Sequence, residues 1–200
     1  MQKIIIASGN EHKIEEIQSF FSELKIDFRA LPEDKKLPEV IEDGKSYREN
    51  ALKKARQRSA ELNEVVLADD SGLSVEYLAG APGIRSARFG GEDLDDREKY
   101  LKILSLLEGI DEQQRKAAFI SVLALVDPFK EEETVVEGRC EGLIAHQPAG
   151  EHGFGYDPIF FLPEFDKTMA EISPETKNKI SHRAKALQKL KEVLKESYVE

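Results

Sequence analysis

Two adjacent carboxylates, Asp69 and Asp70, followed by the hydroxyl of Ser71 and by Gly72, close a short apolar run, Val65-Val66-Leu67-Ala68. The run contains β-branched residues and reads as a buried strand. In an open α/β sheet, ligands bind beyond the carboxyl ends of strands, which is where this acidic pair falls. Neighbouring residues of an extended chain point to opposite sides, so the two aspartates divide their tasks, one facing a site and the other holding a turn. The competing reading is a plain tight turn, because Asp, Ser and Gly are all turn-forming types.

A second apolar run, Lys3-Ile4-Ile5-Ile6-Ala7, leads into Ser8-Gly9-Asn10-Glu11-His12-Lys13. Beyond it Ile14, Ile17, Phe21 and Leu24 recur with the period of an amphipathic helix. Asn10 suits the N-cap of that helix and Lys13 falls in its first turn. A helix amino terminus offers unpaired N–H groups and partial positive charge to an anion, here joined by Ser8, Asn10 and the Lys13 ammonium. The alternative is an ordinary capped helix with a solvated lysine. The G-x-x-x-x-G-K-[ST] phosphate loop is absent.

Three further groups have suitable chemistry. Glu42, in an acidic stretch, is placed to share a divalent cation with Asp70, since magnesium takes one or two carboxylates together with substrate phosphates; a solvated acidic loop is the plainer reading. Of Lys53 and Lys54, on one predicted helix, only one can face a ligand. Lys177, Lys179, His182, Arg183 and Lys185 crowd the start of the last helical segment, as a solvated face or as an anion- or base-reading site. His12, His146 and His152 show no metal-ligand spacing.

The elements that must position these groups follow from periodicity and punctuation. Strands are expected at Lys25–Leu31, Leu73–Tyr77, Arg115–Val126, Glu133–Ile144 and Pro158–Leu162. Helices are expected from Ser46, opened by a capping box and burying Leu52, Ala55, Ser59 and Leu62, over Asp93–Leu107, and from Ser173-Pro174 onward. Pro32–Asp43 and Ala81–Gly91 read as loops. Crossover helices combined with a hairpin indicate a mixed sheet flanked by helices, an α/β fold. The 200 residues, 40% hydrophobic, suffice for one domain or for two lobes sharing a sheet.

A net charge of −10 argues against broad nucleic-acid binding, which needs basic surface. The single cysteine, Cys140, forms no internal disulfide and reads as a small core residue. No signal peptide is expected, and the apolar run Ala117–Val126 is well short of the roughly 20 residues that span a bilayer. A cytoplasmic protein is the expectation.

Six motifs stand in one order: Ser8-Gly9-Asn10-Glu11-His12-Lys13, Glu49-Asn50-Ala51, Leu67-Ala68-Asp69-Asp70-Ser71-Gly72-Leu73, Ala81-Pro82-Gly83, Gly153-Phe154-Gly155-Tyr156-Asp157-Pro158 and Lys179-Ile180-Ser181-His182-Arg183. In this the chain resembles the inosine triphosphate pyrophosphatases, specifically the RdgB-like noncanonical purine nucleoside triphosphate pyrophosphatases. The resemblance implies an elongated mixed sheet with two lobes, a central substrate cleft, a homodimer, and Mg2+-dependent hydrolysis of ITP, dITP and XTP to the monophosphate and pyrophosphate. It implies substrate binding through Ser8, Gly9, Asn10, Glu11, His12, Lys13 and Lys54, with Ser8, Asn10, Lys13 and Lys54 on the phosphates, metal binding by Glu42 and Asp70, general-base catalysis by Asp70, and substrate contact at Ser71. Phe154, Gly155, Tyr156, Asp157, Lys177, His182 and Arg183 would form the base pocket. The Maf-like nucleotide pyrophosphatases are similar in the early phosphate motif but prefer S-x-S-x-x-R, against which Asn10 and Lys13 stand. A nucleotide-binding regulator without turnover is the alternative of another class.

Overall fold

The computed structural model describes residues 2–32, 35–91 and 93–198. Glu33 and Asp34, in the expected acidic loop, lie outside the described residues. Seven strands form one mixed sheet in the order β2-β1-β3-β4-β5-β6-β7. They are β1 (Gln2–Ala7), β2 (Ile26–Ala30), β3 (Val66–Val75), β4 (Lys116–Asp127), β5 (Glu132–Ile144), β6 (Phe160–Leu162) and β7 (Lys167–Thr168). β1 lies parallel to β2 and β3, whereas β5, β6 and β7 pair antiparallel. The helices are α1 (Glu11–Phe20), α2 (Tyr47–Leu62), α3 (Asp96–Leu106), α4 (Pro174–Ile180) and α5 (His182–Tyr198). Among the described residues no helix is long and apolar enough to cross a membrane.

The chain divides into two compact units. The first comprises Met1–Asp70, Ser121–Gly138 and Arg183–Glu200, the second Ser71–Ile120 and Arg139–His182. The first unit's core joins Ile4, Ile6 and Leu67 of the parallel strands to Ile17 of α1 and Leu187, Leu190 and Leu194 of α5. In the second, Leu73, Phe119, Ile144 and Phe160 pack with Ile103 of α3 and Leu107 beyond it. Buried Arg115 donates through its guanidinium to the carbonyls of Leu107, Ile144 and Ala145, each at 2.7 Å, so its charge replaces missing backbone donors.

Three expectations are corrected. The chain does not turn at Asp69–Gly72: β3 is continuous from Val66 to Val75 and absorbs both the expected turn and most of the following strand. Turn-forming types tolerate the strand here because Asp69 and Asp70 meet cationic partners, while Gly72 answers a steric demand. A methyl group on Gly72 would lie 2.6 Å from the Gly83 carbonyl oxygen and collide with Ser86 Oγ, the atom that receives the Leu73 N–H at 2.9 Å. The last helical segment is two helices, because Ser181 is extended (φ −63°, ψ 160°) and ends α4. The break sends His182 and Arg183 into different surroundings. Finally, α2 buries Asn50, Ala51, Ala55, Arg58 and Ser59, leaving Leu52 and Leu62 half-buried. Its Ser46 Oγ accepts from Glu49 N, but Glu49 caps Lys45 N rather than closing the box on Ser46.

Gly72→Ala should therefore destabilise the fold by roughly 1–3 kcal/mol, the scale of overpacking against backbone. Urea unfolding measures it; a wild-type midpoint would show that the Gly83–Ser86 segment yields freely.

Candidate active site

Pairing between β1 and β3 closes at Ala7 opposite Ala68, so the next residue of each strand leaves the shared ladder. Ser8 and Asp69 are those residues. After Ser8 the chain turns into α1 through two side-chain bonds: Ser8 Oγ accepts from Asn10 N at 3.1 Å, and Asn10 Oδ1 caps Lys13 N at 3.2 Å. Asn10 is thus the N-cap that its type indicated. Ser8 keeps its hydroxyl hydrogen to donate. Glu11 and His12 are exposed on the first turn.

Asp69 is a buried charge of the first unit. Its Oδ2 lies 3.3 Å from Lys13 Nζ and 3.0 Å from Arg183 Nε, and its Oδ1 accepts from Ser121 Oγ at 3.2 Å. Burial alone would raise its pKa, but Lys13 and Arg183, with help from Lys54, override this and hold the carboxyl well below the usual range. The same burial lowers the pKa of Lys13, against the attraction of Asp69. Arg183, 2% exposed, also pairs with Glu16 of α1, and although burial disfavours its charge the two carboxylates raise its pKa. Expected as a base-pocket donor, Arg183 is also an ion-pair partner whose orientation two carboxylates fix.

Asp70 points the other way and meets the opposite electrostatics. Burial, reinforced by Glu42 and Asp69, pushes its pKa up to about 6, with Lys54 and Asn50 pulling in the other direction. Lys54 Nζ sits 2.8 Å from Glu42 Oε1, 3.9 Å from Asp70 Oδ1 and 2.9 Å from the Asp69 carbonyl. Lys53 turns outward to Asp43 at 2.5 Å, so Lys54 is the lysine that faces the acidic pair. Asp70 Oδ2 is buried and closes no hydrogen bond within the described residues. Two carboxylates sharing one ammonium, with one buried oxygen left over, are a donor set that fits a divalent cation. No group of three His, Cys, Asp or Glu side chains that could hold a metal ion gathers among the described residues.

In the second unit, Ser71 follows Asp70 in β3 and is half-buried. Asp157 organises the Phe154–Asp157 turn: its Oδ2 accepts from Phe154 N at 3.0 Å and from Lys177 Nζ at 2.8 Å. The Lys177 ammonium lies 4.7 Å from the centre of the Phe154 ring. Gly153, at φ +80°, admits no side chain against the Asp157 carboxylate. Gly155 N donates to Asp96 Oδ2 at 2.8 Å. Tyr156 turns its ring into the core and donates its hydroxyl to Ser86 O at 2.7 Å, so only its backbone can serve a ligand. His182 is buried and stacks on Phe119, ring centres 4.7 Å apart and 17° from parallel.

Glu16, Ser121 and Asn50 join the site without being singled out by local pattern. Glu16 stands one turn after Lys13, a spacing that places both on one helix face. Ser121, a polar residue inside an otherwise apolar strand, was a signal in itself. Asn50 stands in the Glu49-Asn50-Ala51 motif, whose spacing assigns it no role.

The Ham1 family profile matches residues 4–193. The chain belongs to the Ham1 family. It is 46% identical over 194 residues to a dITP/XTP pyrophosphatase of Bacillus subtilis, covering 97% of this chain and 98% of the relative. To a dITP/XTP pyrophosphatase of Geobacillus kaustophilus it is 47% identical over 192 residues, covering 96% and 94%. Among solved structures, a HAM1 protein from Coxiella burnetii superposes with a TM-score of 0.91 at 40% identity, covering 98% of this chain and all of that one. The Staphylococcus aureus Ham1 protein follows at 0.88 and 39%, covering 98% and 99%.

The raised pKa of Asp70 has a thermodynamic sign. Between about pH 4 and 6 the folded protein keeps a proton on Asp70 that the unfolded chain releases, so stability falls as pH rises through this window. Asp70→Asn removes that penalty, on the order of 2–3 kcal/mol. In EDTA the variant should melt several degrees above wild type at pH 7.5 and level with it below pH 4. A variant no more stable at pH 7.5 would show that Asp70 is not desolvated.

Proposed function

We propose that this Ham1-family chain is an Mg2+-dependent pyrophosphatase of noncanonical purine nucleoside triphosphates, taking ITP, dITP and XTP to the monophosphate and pyrophosphate and so clearing them from the nucleotide pool. The observation that carries this reading is near-half identity, over almost the whole chain, to proteins named dITP/XTP pyrophosphatase. The same full-length match favours it over a Maf-like enzyme. The resemblance in motifs further supports a homodimer.

A triphosphate brings roughly four negative charges, so neutralisation and positioning make up most of the catalysis. Ser8, Asn10 and the start of α1 bind phosphate oxygens, with Lys13 and Lys54 supplying charge. Glu42 and Asp70 would hold Mg2+, which when bound offsets phosphate charge and lowers the pKa of a coordinated water. Asp70 accepts the proton of the attacking water. A bond forms from the water oxygen to phosphorus, the anhydride bond between the α- and β-phosphates breaks, and pyrophosphate leaves.

Base choice is assigned to the Phe154–Asp157 turn, Lys177, His182 and Arg183. Phe154 offers a ring to stack on, and His182 and Arg183 are donors held in place, the one by Phe119 and the other by Asp69 and Glu16. A 6-keto oxygen accepts from such donors, whereas adenine's 6-amino group opposes donor with donor. Each polar group left unpaired costs about 1–3 kcal/mol.

Pyrophosphate release from dITP, XTP and dATP with Mg2+ tests the reading. Expected are kcat/KM values at least a hundredfold higher for dITP and XTP than for dATP. Asp70→Asn should lower kcat by ~10²–10⁴. Lys13→Ala should weaken every substrate while leaving the dITP to dATP ratio within threefold, because phosphate is common to all. Binding without turnover would make the protein a nucleotide-binding regulator, and equal rates on dATP would remove the base pocket.

A further inference from the structure

α2 carries a second polar residue beside Lys54. Asn50 precedes it by four positions, on the same helix face, and is completely buried. Its Oδ1 accepts from Gly44 N at 2.8 Å, fastening the backbone of the acidic loop two residues after Glu42. The contact leaves no room for a side chain at Gly44, where a Cβ would lie 2.5 Å from Asn50 Oδ1 and 2.9 Å from Glu49 Cβ. The same side chain also favours the charged form of the Asp70 carboxyl. Neither Nδ2 nor Asp70 Oδ2 closes a hydrogen bond within the described residues. Holding the loop requires only the amide oxygen.

We propose that Asn50 is a positioning residue for the cation site, spanning from the Glu42 loop to Asp70 so that one short, buried side chain sets the spacing of the two carboxylates. The assignment rests on the reading of Glu42 and Asp70 as the Mg2+ ligands. Groups that orient metal ligands from behind typically govern affinity or activity by 10–100-fold. A side chain with two rotatable bonds, fixed at its oxygen end by backbone, is suited to that role. Gly44 then belongs to the same device, because any side chain there displaces either the loop or the amide.

Titration of the full-length protein with Mn2+, followed by the electron paramagnetic resonance of the free ion, tests this beside steady-state kinetics on dITP. For Asn50→Ala, the Mn2+ Kd should rise at least tenfold and kcat fall by a similar factor, with KM for dITP within threefold of wild type. Gly44→Ala, which removes no functional group, should act in the same direction, and it keeps the test open if Asn50→Ala fails to fold. Because both act on one contact, the double variant should be no worse than the more severe single one. Wild-type Mn2+ affinity in Asn50→Ala, with only a lower Tm, would reduce Asn50 to a loop clamp and overturn the proposal alone. Additive losses in the double variant would likewise overturn it. Absence of Mn2+ binding by the wild type would overturn the cation reading itself and this proposal with it.

Discussion

A carboxylate sealed from water inside the first unit is the constraint around which Lys13, Arg183 and Ser121 are arranged. Asp69 is 2% exposed and draws Lys13 from α1, Arg183 from the start of α5 and Ser121 from β4 onto its two oxygens. Such clusters add little net stability, because desolvation offsets most of the attraction. Their worth is orientation: an ammonium and a guanidinium that would otherwise wander are held at one point, just past the last paired residues of β1 and β3. Glu16 completes the arrangement by fixing the far side of Arg183.

The neighbouring aspartate shows what environment does to identical side chains. Asp69 and Asp70 are adjacent on one strand and therefore face opposite ways. Cations surround the first and keep it charged. The second lies among other carboxylates, is buried with a single lysine near it, and is pushed up to about 6. Two titratable groups driven apart in this way mark the division between a structural anion and a group able to exchange a proton.

Much of this was legible in the chain. The acid pair, the Asn10 cap and the strand-turn-helix at the amino end follow from local pattern, whereas the choice of Lys54 over Lys53 rests on the motif resemblance and on its contacts with Glu42 and Asp70. What escaped depends on partners distant in sequence. The local types of Asp69–Gly72 favour a turn, and only Lys13, Arg183 and the tight packing of Ser86 on Gly72 make a strand of them. The break at Ser181 has no helix-breaking glycine or proline to announce it. It follows from what His182 and Arg183 reach: one stacks on Phe119, the other enters the Asp69 cluster. Asn50 resembles any helical asparagine until Gly44 and Asp70 are seen on either side.

The most direct measurement is kcat/KM for dITP in folded Asp69→Asn, a change of one atom that removes the charge Lys13 and Arg183 share. The predicted result is a loss of at least a hundredfold. A variant that retains more than a tenth of wild-type kcat/KM would contradict the placement of Asp69 at the centre of the site.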